Sequence, residues 1–123
     1  IEEAIAREGL QDRVELLGYR LDIPDLQAAA DVFVMPSLWE GLPLAILEAM
    51  FAENPVVATR THGIPEAITS ESEGILVRPG DAEDLAGALR RVLQDPALRH
   101  HLGHVRDGVL TMIDRERAHR VRS

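Results

Sequence analysis

Apolar residues along this chain fall into two kinds of run. DVFVMPS (31–37), PVVATR (55–60) and GILVR (74–78) are short and do not alternate with polar positions, which predicts strands buried on both faces. RVELLGY (13–19) reads as a further strand ahead of them. Helical patterns lie between. PDLQAAA (24–30) predicts a short helix with Pro24 in its first turn, and LAILEAMFA (44–52) a helix that is apolar all round except at Glu48. IPEAI after Gly63 predicts a brief helix, with Pro65 at a natural first position and Glu66 favourably near the N-terminus. In PGDAEDLAGALRRVLQD, Asp81 is the expected N-cap, Glu83 and Asp84 fall in the first turn, and Leu85, Ala88, Leu89 and Val92 recur at helical spacing. PALRHHLGHVRDGVL (96–110) predicts a last helix, bent or broken at Gly103 or Gly108.

Strand, helix, strand, helix with short connections predicts an α/β fold: an open parallel sheet with right-handed crossovers and helices on both faces, Rossmann-like in kind. Residues 1–110 are assigned to this domain and 111–123 to a polar, Arg-rich C-terminal tail without an assigned structure. The opening IEEAIAREG is already helix-like with no capping residue before it, so the chain reads as a domain truncated at its N-terminal side.

Composition narrows the function classes. The 123 residues carry 46% hydrophobic content, enough for a core, and a net charge of −8, which is the wrong sign for a nucleic-acid binder. With no Cys, disulfides, thiolate metal sites and Cys nucleophiles are excluded. No apolar run approaches membrane-spanning length, the lack of Cys suits a reducing compartment, and a cytoplasmic location is the expectation. All basic residues except the His are Arg, a bias that nothing physical explains.

In an open α/β sheet, ligands bind beyond the carboxyl ends of the strands. Four loops meet there: GYRLD, SLWEGLP, THGIP and PGD. The second is the richest. Gly41 admits close backbone approach, the following helix N-terminus offers free N–H groups to an anion, and the Glu40 carboxylate suits sugar hydroxyls. That combination asks for a ligand with a polyol and an anionic part. Glu40 and Glu48 would stand ~12 Å apart on a continuous helix, beyond the ~5–9.5 Å of a glycosidase pair. Two contacts on one extended ligand fit that spacing, as does a solvated Glu40 with Glu48 a core acid bonded to backbone. A buried Glu48 requires some partner, since an unpaired buried carboxylate costs several kcal/mol.

Several signatures in order, LLGY, AADVFVMPS, two glutamates separated by seven residues, PVVAT, GIPE and GILVRPGD, resemble the C-terminal domain of group 1 retaining glycosyltransferases of the GT-B fold, from about Gly9 to Leu102. The resemblance implies a domain that binds a nucleotide-diphosphate sugar and takes part in transfer of a hexosyl group to an acceptor. It implies that Glu40 bonds the sugar hydroxyls and positions the donor, with no other catalytic residue in this chain. By the same resemblance, Gly41, Leu42, Pro43 and Leu44 face the sugar and diphosphate, Glu48 bonds the ribose, and Tyr19 and Arg20 lie near the base. No metal or other cofactor is implied. Pro43 lacks the amide of the small residue the family usually has there, Glu53 and Asn54 replace a common Gly before Pro55, and His62 replaces one of a paired Gly.

The family's diphosphate-neutralising Arg and Lys, its acceptor domain and its closing C-terminal helix have no counterpart in this chain. The resemblance therefore implies an isolated chain without transferase activity, with the N-terminal acceptor domain as its missing partner. A truncated sheet edge open to self-association is also expected. The longer protein would be cytoplasmic or peripheral to the inner membrane. A non-catalytic binding or interaction module derived from a glycosyltransferase, or part of a GT-B nucleotide-sugar epimerase, are the alternatives. The remaining features take plain readings. His100, His101 and His104 form a solvated helix face rather than a metal site, His62 fills a loop, Trp39 packs beneath the second loop, and Arg60 and Arg78 pair with surface acids.

Overall fold

The computed structural model describes residues 1–39, 44–61, 64–68 and 71–104. The β-branched run at 56–59 becomes β2 (Val56–Thr59), buried at every position because it is the middle strand. β1 (Phe33–Met35) and β3 (Ile75–Val77) pair with it in parallel on either side, in the order β1-β2-β3. Phe33 stands opposite Val56 and Met35 opposite Ala58; Val57 faces Ile75 and Thr59 faces Val77.

Successive side chains of a strand point to opposite faces, so β2 serves two cores. Val56 and Ala58 enter one with Ile46, Ala49 and Met50 of α3 (Leu44–Phe51), joined by Ile64 and Ile68 of and beyond α4 (Ile64–Ala67). Val57 enters the other with Ile75, Val77, Ala88 and Val92 of α5 (Ala82–Gln94) and Leu102 of α6 (Pro96–Leu102). Helices therefore cover both faces, as the non-alternating runs predict. Each fully buried aliphatic side chain contributes about 1.5–3 kcal/mol relative to exposure.

Local chemistry sets the helix ends. The Asp81 carboxylate accepts from the Asp84 N–H at 2.9 Å, as expected of the N-cap, and Asp95 accepts from the Leu98 N–H at 3.0 Å with Pro96 as the first helical residue of α6. α6 ends at Leu102, with Gly103 its C-cap. A Cβ on Gly103 would lie 2.6 Å from the Glu53 carbonyl oxygen, so only glycine lets this helix end seat against the turn after α3. The rest of the expected 96–110 helix, with Gly108, lies outside the described residues, as does the tail from Thr111.

That turn after α3 is a Schellman motif. The Asn54 N–H reaches back to the Ala49 carbonyl at 2.9 Å and the Glu53 N–H to Met50 at 3.0 Å, which puts Glu53 at φ +62°. A side chain in the left-handed region is costly, and glycine is the usual occupant. Glu53→Gly is expected to stabilise the fold by about 1 kcal/mol in urea unfolding; no change or a loss would show that the Glu53 side chain compensates for its strain.

One expected element is corrected. Residues 13–19 form no strand, and the sheet has three strands rather than four among the described residues. Val14, Leu16 and Leu17 are 40%, 50% and 42% exposed. A parallel strand is stable only when paired and covered on both faces, and this segment lacks that cover. β1 consequently lies at the edge and is half-buried throughout, not buried on both faces. The helix before this segment, α1 (Glu2–Arg7), buries no residue. α2 (Ile23–Ala29) follows the segment and is tied to the body through buried polar groups. The Asn54 amide donates to the Gln27 carbonyl at 2.8 Å, and Gln27 itself is 8% exposed.

Candidate functional site

Each α-helical residue turns about 100°, so the positions between Ile46 and the Ala49–Met50 pair turn away from the middle of the sheet, Leu47 remaining partly buried against the core. Glu48 is one of them and is exposed. Of the two readings open for Glu48, the core acid is thereby corrected: the sheet takes only one face of this all-apolar helix, and the lone carboxylate sits on the other. Leu44, Leu47, Glu48 and Phe51 form a stripe at i, i+3, i+4 and i+7 along that outer face. The stripe lines a cleft of about 460 Å³ whose other wall is Pro24 and Gln27 of α2, and Glu48 is the charged group in that lining. The cleft offers an apolar trough with a single carboxylate.

α2 supplies the second wall of this cleft. Pro24 lies in its first turn, and the residues just before it carry the predicted base-contacting pair. Tyr19 is 90% exposed. Arg20 is held in a two-pronged ion pair, Nε to Asp22 Oδ1 at 2.7 Å and Nη2 to Asp22 Oδ2 at 2.6 Å. The hydrogen bond to Asp22 raises the Arg20 pKa, and the guanidinium in turn holds the Asp22 carboxyl below the usual carboxylate range. A depressed carboxyl stabilises the fold above its unfolded pKa, so the tether is present at neutral pH and is lost as pH falls through the folded value.

The other expected positions divide. Leu44 opens α3 and is 58% exposed. Glu40, Gly41, Leu42 and Pro43 lie outside the described residues, as do His62 and the Glu66 side chain. Trp39 is 70% exposed, and the loop it was expected to pack beneath lies outside the described residues from Glu40 to Pro43. The Thr59 hydroxyl donates to the Ser37 carbonyl, fixing the segment after β1 to the end of β2 at the ligand edge. Arg78 pairs with Asp81 at 3.1 Å and Asp84 at 3.5 Å, the surface role expected of it.

His100 and His104 stack with ring centroids 4.1 Å apart, and His104 Nδ1 lies 2.7 Å from the His100 carbonyl. They share a depression with Asp31 and Pro55, which precede β1 and β2, so they belong to the opposite sheet edge. No group of three metal-ligating side chains is placed for an ion among the described residues.

A family model for group 1 glycosyl transferases matches residues 1–95. The chain belongs to the group 1 glycosyltransferase family. It is 44% identical over 89 residues, 72% of its length, to an Escherichia coli UDP-Gal:α-D-GlcNAc-diphosphoundecaprenol α-1,3-galactosyltransferase, of which it covers 23%. Among solved structures, the sucrose-phosphate synthase of Thermosynechococcus elongatus is similar with a TM-score of 0.86 and 32% identity, over 97% of this chain and 32% of that one. HepE of Anabaena, solved in complex with UDP-glucose, gives a TM-score of 0.80 and 30% identity over 93% of this chain and 34% of that one. These are GT-B glycosyltransferase structures, and the parallel sheet with helices on both faces is that fold. The chain spans about a quarter of the length of the curated glycosyltransferases it matches.

Sequence reasoning missed Asp22 and the cleft-lining Pro24, Leu47 and Phe51. The signals were present. An acid two residues after Arg20 could fold back on it, and apolar positions on both sides of 44–51 exceed what one sheet can cover.

Proposed function

We propose that this chain is the nucleotide-sugar donor-binding half of a retaining hexosyltransferase. The observation that carries the reading is the position of Glu48, the charged group of an apolar cleft between α2 and α3. A ribose offers two neighbouring hydroxyls to such a carboxylate, and the apolar walls suit the flat faces of a nucleoside. In this reading Glu40 bonds the sugar, and Gly41, Leu42, Pro43 and Leu44 face the sugar and diphosphate. Tyr19 and Arg20 lie at the base. HepE, a structural relative, binds UDP-glucose in the family's fold, which supports a uridine diphosphate donor here.

Residues 1–110 are the donor domain, and the whole enzyme acts with an acceptor domain, in the cytoplasm or peripheral to the inner membrane. No described helix is long and apolar enough to cross one. Retaining transfer needs the leaving diphosphate stabilised and the acceptor hydroxyl held on the same side of the sugar. This chain has no Lys to help with the first of these. Alone, it is expected to bind donor without transferring it. Calorimetric titration with UDP-, GDP- and ADP-sugars is expected to give millimolar or tighter binding for one of them and no transfer to any acceptor. Absence of binding to all three would contradict the donor-site reading; transfer by the isolated chain would contradict the division of labour.

A further inference from the structure

The cleft between α2 and α3 has one wall that the core anchors and one that it does not. α3 sends Ile46, Ala49 and Met50 into a core, whereas among the described residues neither core draws a side chain from α2. The buried residue of α2 is a polar one, Gln27. Hydrogen bonds through Gln27 fasten this wall instead. Its amide donates to the Ala45 carbonyl of α3 at a long 3.5 Å. Its carbonyl accepts from the Asn54 amide at 2.8 Å, which makes the Asn54 bond the firmer of the two.

Asn54 is placed to join the two walls. Its N–H closes the end of α3 by bonding to the Ala49 carbonyl at 2.9 Å, while its side chain reaches α2. It stands just beyond Ala52, a residue of the cleft lining. For stability alone an amide is a poor choice at this position. Asn54 is 2% exposed, and its Oδ1 finds no hydrogen-bond partner among the described residues. A buried acceptor left unpaired lowers stability, and an aliphatic side chain would fill the position without that cost. The Gln27 carbonyl would keep a donor in that case, since it also accepts from the Ala30 N–H at 3.3 Å. What only the amide supplies is the tie between α3 and α2.

We propose, on the basis of the donor-site reading above, that Asn54 is a positioning residue of the cleft: it braces α2 against the end of α3 and so sets the width of the cleft before a ligand arrives. Asn54 acts through α2, which carries the wall residues Pro24 and Gln27 opposite Leu47 and Glu48. Without the brace, α2 samples positions in which the two walls no longer match one ligand. The ligand then binds the fraction of molecules with the wall in place, and apparent affinity falls by that fraction.

The experiment compares wild-type with Asn54→Leu, which keeps the branched shape, and Asn54→Ala, which cannot overpack the site. Backbone amide hydrogen exchange, thermal unfolding and titration with UDP-glucose are measured on each. In both variants the Leu26 and Ala30 amides of and beside α2 are expected to exchange at least about tenfold faster, while those of β2 keep their wild-type rates. UDP-glucose is expected to bind about tenfold more weakly to both, and Asn54→Leu to unfold at the wild-type temperature or above. If the β2 amides accelerate together with those of α2 in both variants, Asn54 is a structural residue and the brace is overturned. Unchanged α2 exchange, or unchanged UDP-glucose affinity, in both variants also overturns it while the donor site stands. Wild-type that binds no UDP-glucose, with α2 still released in the variants, overturns the donor-site reading and leaves the brace.

Discussion

Glu48→Ala is expected to weaken binding of the donor nucleotide by roughly 10- to 100-fold, the effect of losing hydrogen bonds to a charged group worth about 1.5–3 kcal/mol. The same substitution is expected to leave thermal unfolding within about 0.5 kcal/mol of wild-type. Glu48 lies on the exposed face of α3 and takes no part in either core. This separation makes the variant informative: a loss of binding without a loss of stability places the carboxylate at the ligand. A large fall in stability instead would mean that Glu48 is a structural acid after all.

Ile46→Ala is expected to do the reverse. Ile46 is fully buried two residues before Glu48 and joins α3 to Val56 and Ala58 of the central strand. Truncating a buried isoleucine leaves a cavity and costs about 2–5 kcal/mol, a large share of the roughly 5–15 kcal/mol that holds a domain together. Because α3 carries Leu44 and Glu48, loosening it also lowers apparent donor affinity through the unfolded population. Ile46→Val should cost only about 0.5–1.5 kcal/mol and keep the site intact. If Ile46→Ala unfolds at the wild-type denaturant midpoint, α3 is not anchored as described.

The contrast between these neighbours shows what the sequence could and could not disclose. VVAT declared a strand buried on both faces because no alternation survived in it, and it is buried at all its positions. Asp81 declared a helix start because its oxygen reaches a nearby N–H, an interaction local in sequence. RVELLGY had the composition of a strand, but a strand exists only with a paired neighbour, and pairing is not written in the segment itself. Glu48 was left with two readings for a related reason. In a helix apolar all round, composition does not say which face the sheet will take, so a core acid and a ligand contact stayed open until the structure placed Glu48 on a cleft.

The site shows the same division. Glu48 stood out as a lone acid in the pattern along the chain, and it is found on the cleft. The walls of the cleft were not legible, because Pro24 and Leu47 meet only when α2 and α3 lie side by side. That neighbourhood is set by Asn54, whose amide reaches the Gln27 carbonyl across 27 positions of sequence. Leu16, Leu17, Leu21 and Phe51 are each exposed, Phe51 in the lining of the cleft.

The most direct test of the account is a nitrogen-15 NMR titration of the chain with UDP-glucose, following every backbone amide. The account predicts shifts concentrated at Tyr19, Arg20, Asp22, Leu44 and Glu48, with His100 and His104 at the opposite edge unmoved. Shifts centred on His100 and His104, or none at any concentration, would contradict it.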